Sequence, residues 1–225
     1  MEFEYEIIYS SNRKTVNISV ERDRSVIIRV PEGLSLEKIK NIVKSKENWI
    51  NDKINHEQKY PVKLEPKEFV SGETLMYLGK NYQLSVVDKV IEGVEFNQRF
   101  LISKSNQKIA NKLLKDWYMN RALLKIEQRV KLFGQSLGVC FNNIKVSDMK
   151  YRWGSCTPNN NIIFNWRLIK APLYVLDYLI VHELAHLLEP NHTPKFWNIV
   201  SIQVPQYMKA KKWLKEKGYL LEIDF

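Results

Sequence analysis

The stretch HELAHLLEPNH, residues 182–192, holds three of the four histidines in a chain of 225 residues. His182 and His186 are four residues apart, so on a helix their imidazoles project from one face, about a turn apart, and can converge on one ion. Glu183 follows the first histidine directly. Its side chain is turned about 100° around the helix axis, which places it beside an ion rather than on it. There a carboxylate can take a proton from a water that the ion has activated. The chemistry this spacing offers is metal-assisted hydrolysis, with Zn2+ as the expected ion and Glu183 as general base.

An ion that activates water is commonly held by three protein groups and keeps one position open. Two residues are in reach for the third place. His192 lies just past the expected helix end, where a turn can bring it back, and Glu189 lies seven residues after His182 on nearly the same face. His192 is favoured, because Glu189 precedes Pro190 and falls at or beyond the last turn. Spacing alone leaves both open.

The elements that must position these residues can be read around them. Pro172 suits the first turn of a helix running to about Leu188, apolar on nearly every side and therefore buried, with Glu189-Pro190 ending it. Thr193-Pro194 forms an N-cap and first-turn pair for a helix to about Ile202, and Pro205 opens a last one ending before Gly218. Upstream, residues 144–149 and 161–166 read as strands around the turn-rich CTPNNN segment. Strand 161–166 is expected to offer an edge near the metal to which an extended peptide can add. A helix spans 106–133 by the spacing of Ile109, Leu113, Trp117, Leu124 and Val130, with Gly134 and Gly138 closing it.

The first half carries no catalytic-looking cluster. Residues 3–9, 15–20 and 25–30 read as short strands, and the series Leu36, Ile39, Ile42, Val43, Trp49, Ile50 and Ile54 gives one long amphipathic helix ending near Tyr60-Pro61. Strands at 74–78 and 82–87 flank Gly79-Lys80-Asn81 as a hairpin, and a further strand pair falls between Val90 and Ser103. The fold expected is α+β: a small N-terminal β-rich domain with a long helix, residues 1–104, then the domain of the HExxH helix, residues 105–225.

Composition bounds the rest. With 44% hydrophobic residues the chain can bury a sizeable core, or two small ones. Residues 173–181 are its longest greasy run, interrupted by Asp177 and far short of the roughly 20 apolar residues that span a bilayer. MEFEYEIIYS lacks the pattern of a secretory signal. Cys140 and Cys156 form no CxxC pair or disulfide framework. A cytoplasmic protein without a membrane partner is expected, its oligomeric state unreadable. The net charge of +10 allows weak association with nucleic acid, though the charges are interspersed as on an ordinary solvated surface.

The runs RWGSC (152–156), FNWRLI (164–169), VHELAHL (181–187), NHTPKFW (191–197) and VPQYMKAKKWL (204–214) resemble the YgjP-like metallopeptidase family. IIRVPEG (27–33), KENWI (46–50) and SGETLMYLG (71–79) extend the likeness into the first half, so it covers most of the chain. The chain is also similar, more distantly, to the SprT and WLM metalloproteases, some of which act on proteins crosslinked to DNA. The resemblance implies a zincin-like fold, zinc at His182, His186 and His192, Glu183 as base, and a peptide or protein substrate.

Peptide hydrolysis also needs a group for the developing oxyanion, and the candidates are Arg152 and Tyr207. Each has a plain structural alternative: a fork pairing with a nearby acceptor for Arg152, core packing for Tyr207. Trp153, Trp166 and Trp197 are expected to pack around the site. Asp177 is either a partner of a ligand imidazole or a helix-surface carboxylate. Two other functions fit the same residues: a metal-dependent nucleotide pyrophosphohydrolase, and a DNA-associated zinc-binding protein without hydrolysis, for which Cys156 is the nearby candidate fourth ligand.

Overall fold

The computed structural model describes residues 3–11, 13–20, 26–55, 67–149 and 152–222. Two compact units divide the chain, residues 1–61 and 62–225. Both mix helices with strands, the α+β class expected. The boundary differs from the expected 104/105. The strands between 74 and 103 carry Leu75, Leu84, Phe100 and Ile102 into the same core as the HExxH helix, so they belong to the second unit.

In the first unit, β1 (Tyr5–Ser10), β2 (Asn17–Val20) and β3 (Val26–Pro31) form a sheet in the order β1-β3-β2, with β1 parallel and β2 antiparallel to β3. Alternation along β3 buries Val26, Ile28 and Val30 on one face, as a half-covered strand requires. The long helix expected after it is broken in two, α1 (Leu36–Ser45) and α2 (Glu47–Asn55), by Lys46 at φ −110° and ψ 7°. Ser45 Oγ bonds the Ile42 carbonyl at 2.7 Å, a local bond that competes with helix continuation. Ile50 of α2 still joins Ile39 and Val43 of α1 in one core. The end expected near Tyr60-Pro61 lies outside the described residues.

The second unit opens with the expected hairpin, β4 (Thr74–Tyr77) and β5 (Lys80–Val87), and continues through β6 (Glu95–Phe96) and β7 (Phe100–Ser103) into a sheet of order β4-β5-β7-β6. A 3₁₀ turn at Lys104–Ile109 leads into α3 (Ala110–Leu137), closed by Gly138 in the left-handed conformation. Gly134 lies inside the helix, buried against Phe141, and its carbonyl accepts from the Gly138 and Val139 N–H groups at the closing turn. Next come β8 (Asn143–Ser147), β9 (Gly154–Cys156) and β10 (Asn161–Asn165), in the order β8-β10-β9. Then follow a 3₁₀ turn at Trp166–Lys170 and the helices α4 (Leu173–Ala185), α5 (Pro194–Gln203) and α6 (Tyr207–Lys217).

Helix α4 is the centre of this unit. It packs against α3, α5, α6 and β9, and its residues from Val175 to Ala185 are buried except at Asp177 and His182. Its start is clamped by the first hairpin. Gly79, at φ +79°, donates to the Lys170 carbonyl at 2.7 Å, and a Cβ there would lie 2.8 Å from Pro172. Only glycine meets both demands. Arg129 of α3 grips Asp177 of α4 through two bonds of 2.6 Å. Among the described residues no helix is long and apolar enough to cross a membrane.

Candidate active site

Three elements bring the expected groups together. The last turn of α4 presents His182, its C-cap is His186, and the chain then turns back so that His192 faces both. The ligating nitrogens of the three imidazoles lie within 4.8 Å of one another, and His182 Nε2 stands 3.1 Å from His192 Nε2. This helix is slightly shorter than the sequence indicates, and the remaining turn supplies the reversal. The His186 ring donates to the backbone carbonyls of Glu189 and Pro190, which fixes its orientation. Glu189, the rival for the third place, is not in the cluster. Its carboxylate lies 4.0 Å from Lys195.

The turn is held by α5. Thr193 caps that helix, accepting from the Phe196 N–H, with Pro194 in its first turn. Phe196 meets His192 edge-on at 4.7 Å and Trp197 stacks on it at 5.6 Å, so two rings of one helical turn form a corner for the exposed imidazole. Trp197 also stacks on Tyr207 at 5.5 Å, and Lys211 Nζ stands 4.1 Å over the same ring. Tyr207 stacks in turn on Tyr178, whose ring meets His182.

Glu183 faces β9. It is only 6% exposed, and the Cys156 backbone N–H donates to it. Burial pushes its carboxyl up to about 7, against the pull of that bond and of Arg152. Burial, then His186 and His192, push His182 down to about 3, and His186 is lowered by burial and His192. All three effects reflect the cost of charge in a poorly solvated place.

These residues fit a divalent ion. Burial favours neutral imidazoles, the ligating form, and nitrogens converge at hydrogen-bond distance where three neutral rings have few protons to share. The set is all nitrogen, which suits zinc. Among the described residues His182 Nδ1 is buried without a hydrogen-bond partner, and its ring packs against Phe196 and Trp197.

The other expected residues fall as follows. Arg152 is exposed and near enough to Glu183 to bear on its charge. Tyr207 is half-buried in the aromatic column. Asp177 is no partner of a ligand imidazole, being taken up by Arg129. Trp166 is deep in the core, Trp153 packs against that core, and only Trp197 of the three touches the histidines. Strand β10, expected to offer a free edge, has β8 on one side and β9 on the other. The edge beside the site belongs to β9, whose last residue, Cys156, opens the turn-rich CTPNNN segment.

Asn165 was missed as well. It is 2% exposed, and its side chain donates to the carbonyls of Met149 at 2.7 Å and Arg152 at 3.2 Å and accepts from Arg167 N–H. It thereby ties down the segment leading into β9. A short polar residue at the end of an apolar strand was the only available signal.

Metal-assisted hydrolysis is the chemistry this arrangement defines, and the metallopeptidases are its class. Residues 14–217 match the YgjP-like, metallopeptidase domain, and the chain belongs to that family. It is a zinc metallopeptidase, as the HExxH helix led us to expect. No curated protein matches the chain. Among solved structures it is similar to the metallopeptidase zymogen of Pyrococcus abyssi abylysin, with TM-score 0.38 and 17% identity, over 41% of this chain and 95% of that one.

Proposed function

We propose that the enzyme hydrolyses peptide bonds of a peptide or protein substrate at a zinc ion held by His182, His186 and His192, with Glu183 as general base. The convergence of three imidazoles within 4.8 Å, with a buried carboxylate on the adjoining residue, carries this reading. When bound, zinc would supply Lewis-acid polarisation of a carbonyl and a water of lowered pKa.

The chain does the remaining work. Glu183 takes a proton at its carboxylate and returns it to the leaving amine, a role suited to a carboxyl raised to about 7. The Cys156 N–H fixes one carboxylate oxygen while this happens. Arg152 would supply a fixed cation, and the Tyr207 phenol a hydrogen-bond donor, to the oxyanion as it forms. The family supports a peptide rather than a phosphoanhydride bond.

Glu183→Gln tests this. Hydrolysis of an unfolded protein by the zinc-loaded variant should fall by about 10²–10⁴-fold, with zinc affinity retained. Undiminished cleavage would exclude Glu183 as the base.

A further inference from the structure

Gly154 opens β9 opposite Phe164 of β10. Its φ is not among the positive values of the chain, so its dihedral makes no demand for glycine. Space does. A Cβ at this position would lie 2.5 Å from Glu183 Oε1, 2.7 Å from its Cγ and 2.8 Å from its Cδ, far inside the roughly 3.5–4.0 Å at which non-bonded carbons rest.

Neither partner can yield freely. The Glu183 side chain projects from the buried helix α4 and accepts from the Cys156 N–H two residues along the same strand. The strand is pinned on its other side, by the pairing with β10, by Asn165 N–H on the Trp153 carbonyl at 2.8 Å, and by the Asn165 side chain on the Arg152 carbonyl.

We infer that Gly154 is a positioning residue: the side chain it lacks is the slot in which the Glu183 carboxylate is held beside the histidines. For activity this rests on the reading of Glu183 as base. For structure it rests on the close approach alone, and the two parts are separable.

The test compares full-length wild type with Gly154→Ala, Glu183→Ala and the double variant. Melting temperature of the metal-free protein, zinc affinity by chelator competition, and peptide hydrolysis are measured for each. Gly154→Ala alone should lower the melting temperature by about 2–10 °C, as overpacking does in a chain of this size. In the Glu183→Ala background the same change should cost nothing, because the atoms it meets are gone. Zinc affinity should stay within about threefold, since the histidines are untouched, while kcat/KM falls by about 100-fold or more with the carboxylate displaced.

An equal melting loss in both backgrounds would overturn the inference, because glycine would then serve the strand and not the carboxylate. So would a Gly154→Ala enzyme with wild-type melting and kcat/KM. If Gly154→Ala does not fold alone, recovery of folding in the double variant supports the slot and failure to recover overturns it. Retained hydrolysis in Glu183→Ala would remove the general-base reading and leave the melting comparison intact.

Discussion

His182 and Glu183 are neighbours in the chain, and burial acts on them in opposite directions: it keeps the imidazole unprotonated and makes the carboxyl a better base. Both effects would serve the proposed reaction, because a ligand must offer a free lone pair and a general base must hold a proton only briefly. Asp148 shows the reverse balance. Burial alone would raise it, but hydrogen bonds and charge from Lys115, at 2.7 Å, and from Arg167 outweigh burial and bring it to about 2 from an ordinary 3.8. A carboxylate lowered in the folded state adds stability above its unfolded pKa and loses it as pH falls toward the folded one. The contribution should therefore be complete above about pH 4 and disappear toward pH 2. Melting curves across that interval should show Asp148→Asn losing less stability than wild type, and parallel losses would show that Asp148 contributes nothing.

At the scale of the elements, the HExxH helix is buried along most of its length and is held by what surrounds it. Its join to α3 is a bidentate pair, Arg129 with Asp177, whose side chains are 22% and 15% exposed. Arg129→Ala leaves that carboxylate half-buried and unpaired, and denaturant unfolding should show a loss of about 3 kcal/mol, as for other broken buried pairs. Asp177→Asn should cost less, because the amide oxygen still accepts from Arg129 and the guanidinium left without its carboxylate is the more exposed of the two groups. Helix α5 holds the third imidazole through its first turn. Thr193→Ala should lose about 1 kcal/mol as a broken N-cap and also weaken zinc binding, since Phe196 and Trp197 lose their fixed orientation to His192. Chelator competition checks this, and unchanged zinc affinity would mean that the corner holds without its cap.

Over the whole molecule, the candidate metal site was legible in the sequence because its residues are local. His182, Glu183, His186 and His192 span eleven positions, and helix period plus the proline and cap signals suffice to bring them together. The surroundings were less legible because they are assembled from afar. Strand β9 is three residues long and reads as turn text, so neither the Cys156 N–H on Glu183 nor the space at Gly154 can be seen without the sheet. Asp177 offered no sign of which cation would claim it, as Arg129 lies 48 residues away. The boundary at 104/105 failed for a related reason: composition marks where helices replace strands, whereas units are defined by a shared core. The break at Lys46 escaped because the apolar series on either side keeps one helical period.

X-ray absorption on the zinc-loaded protein decides whether the three histidines form a metal site. It should show one zinc per chain with three imidazole ligands, no sulfur, and a remaining position filled by exchangeable solvent, with the three-imidazole signature lost in His192→Ala. Sulfur from Cys156 in the first shell, or a spectrum unchanged in His192→Ala, would contradict a three-histidine site.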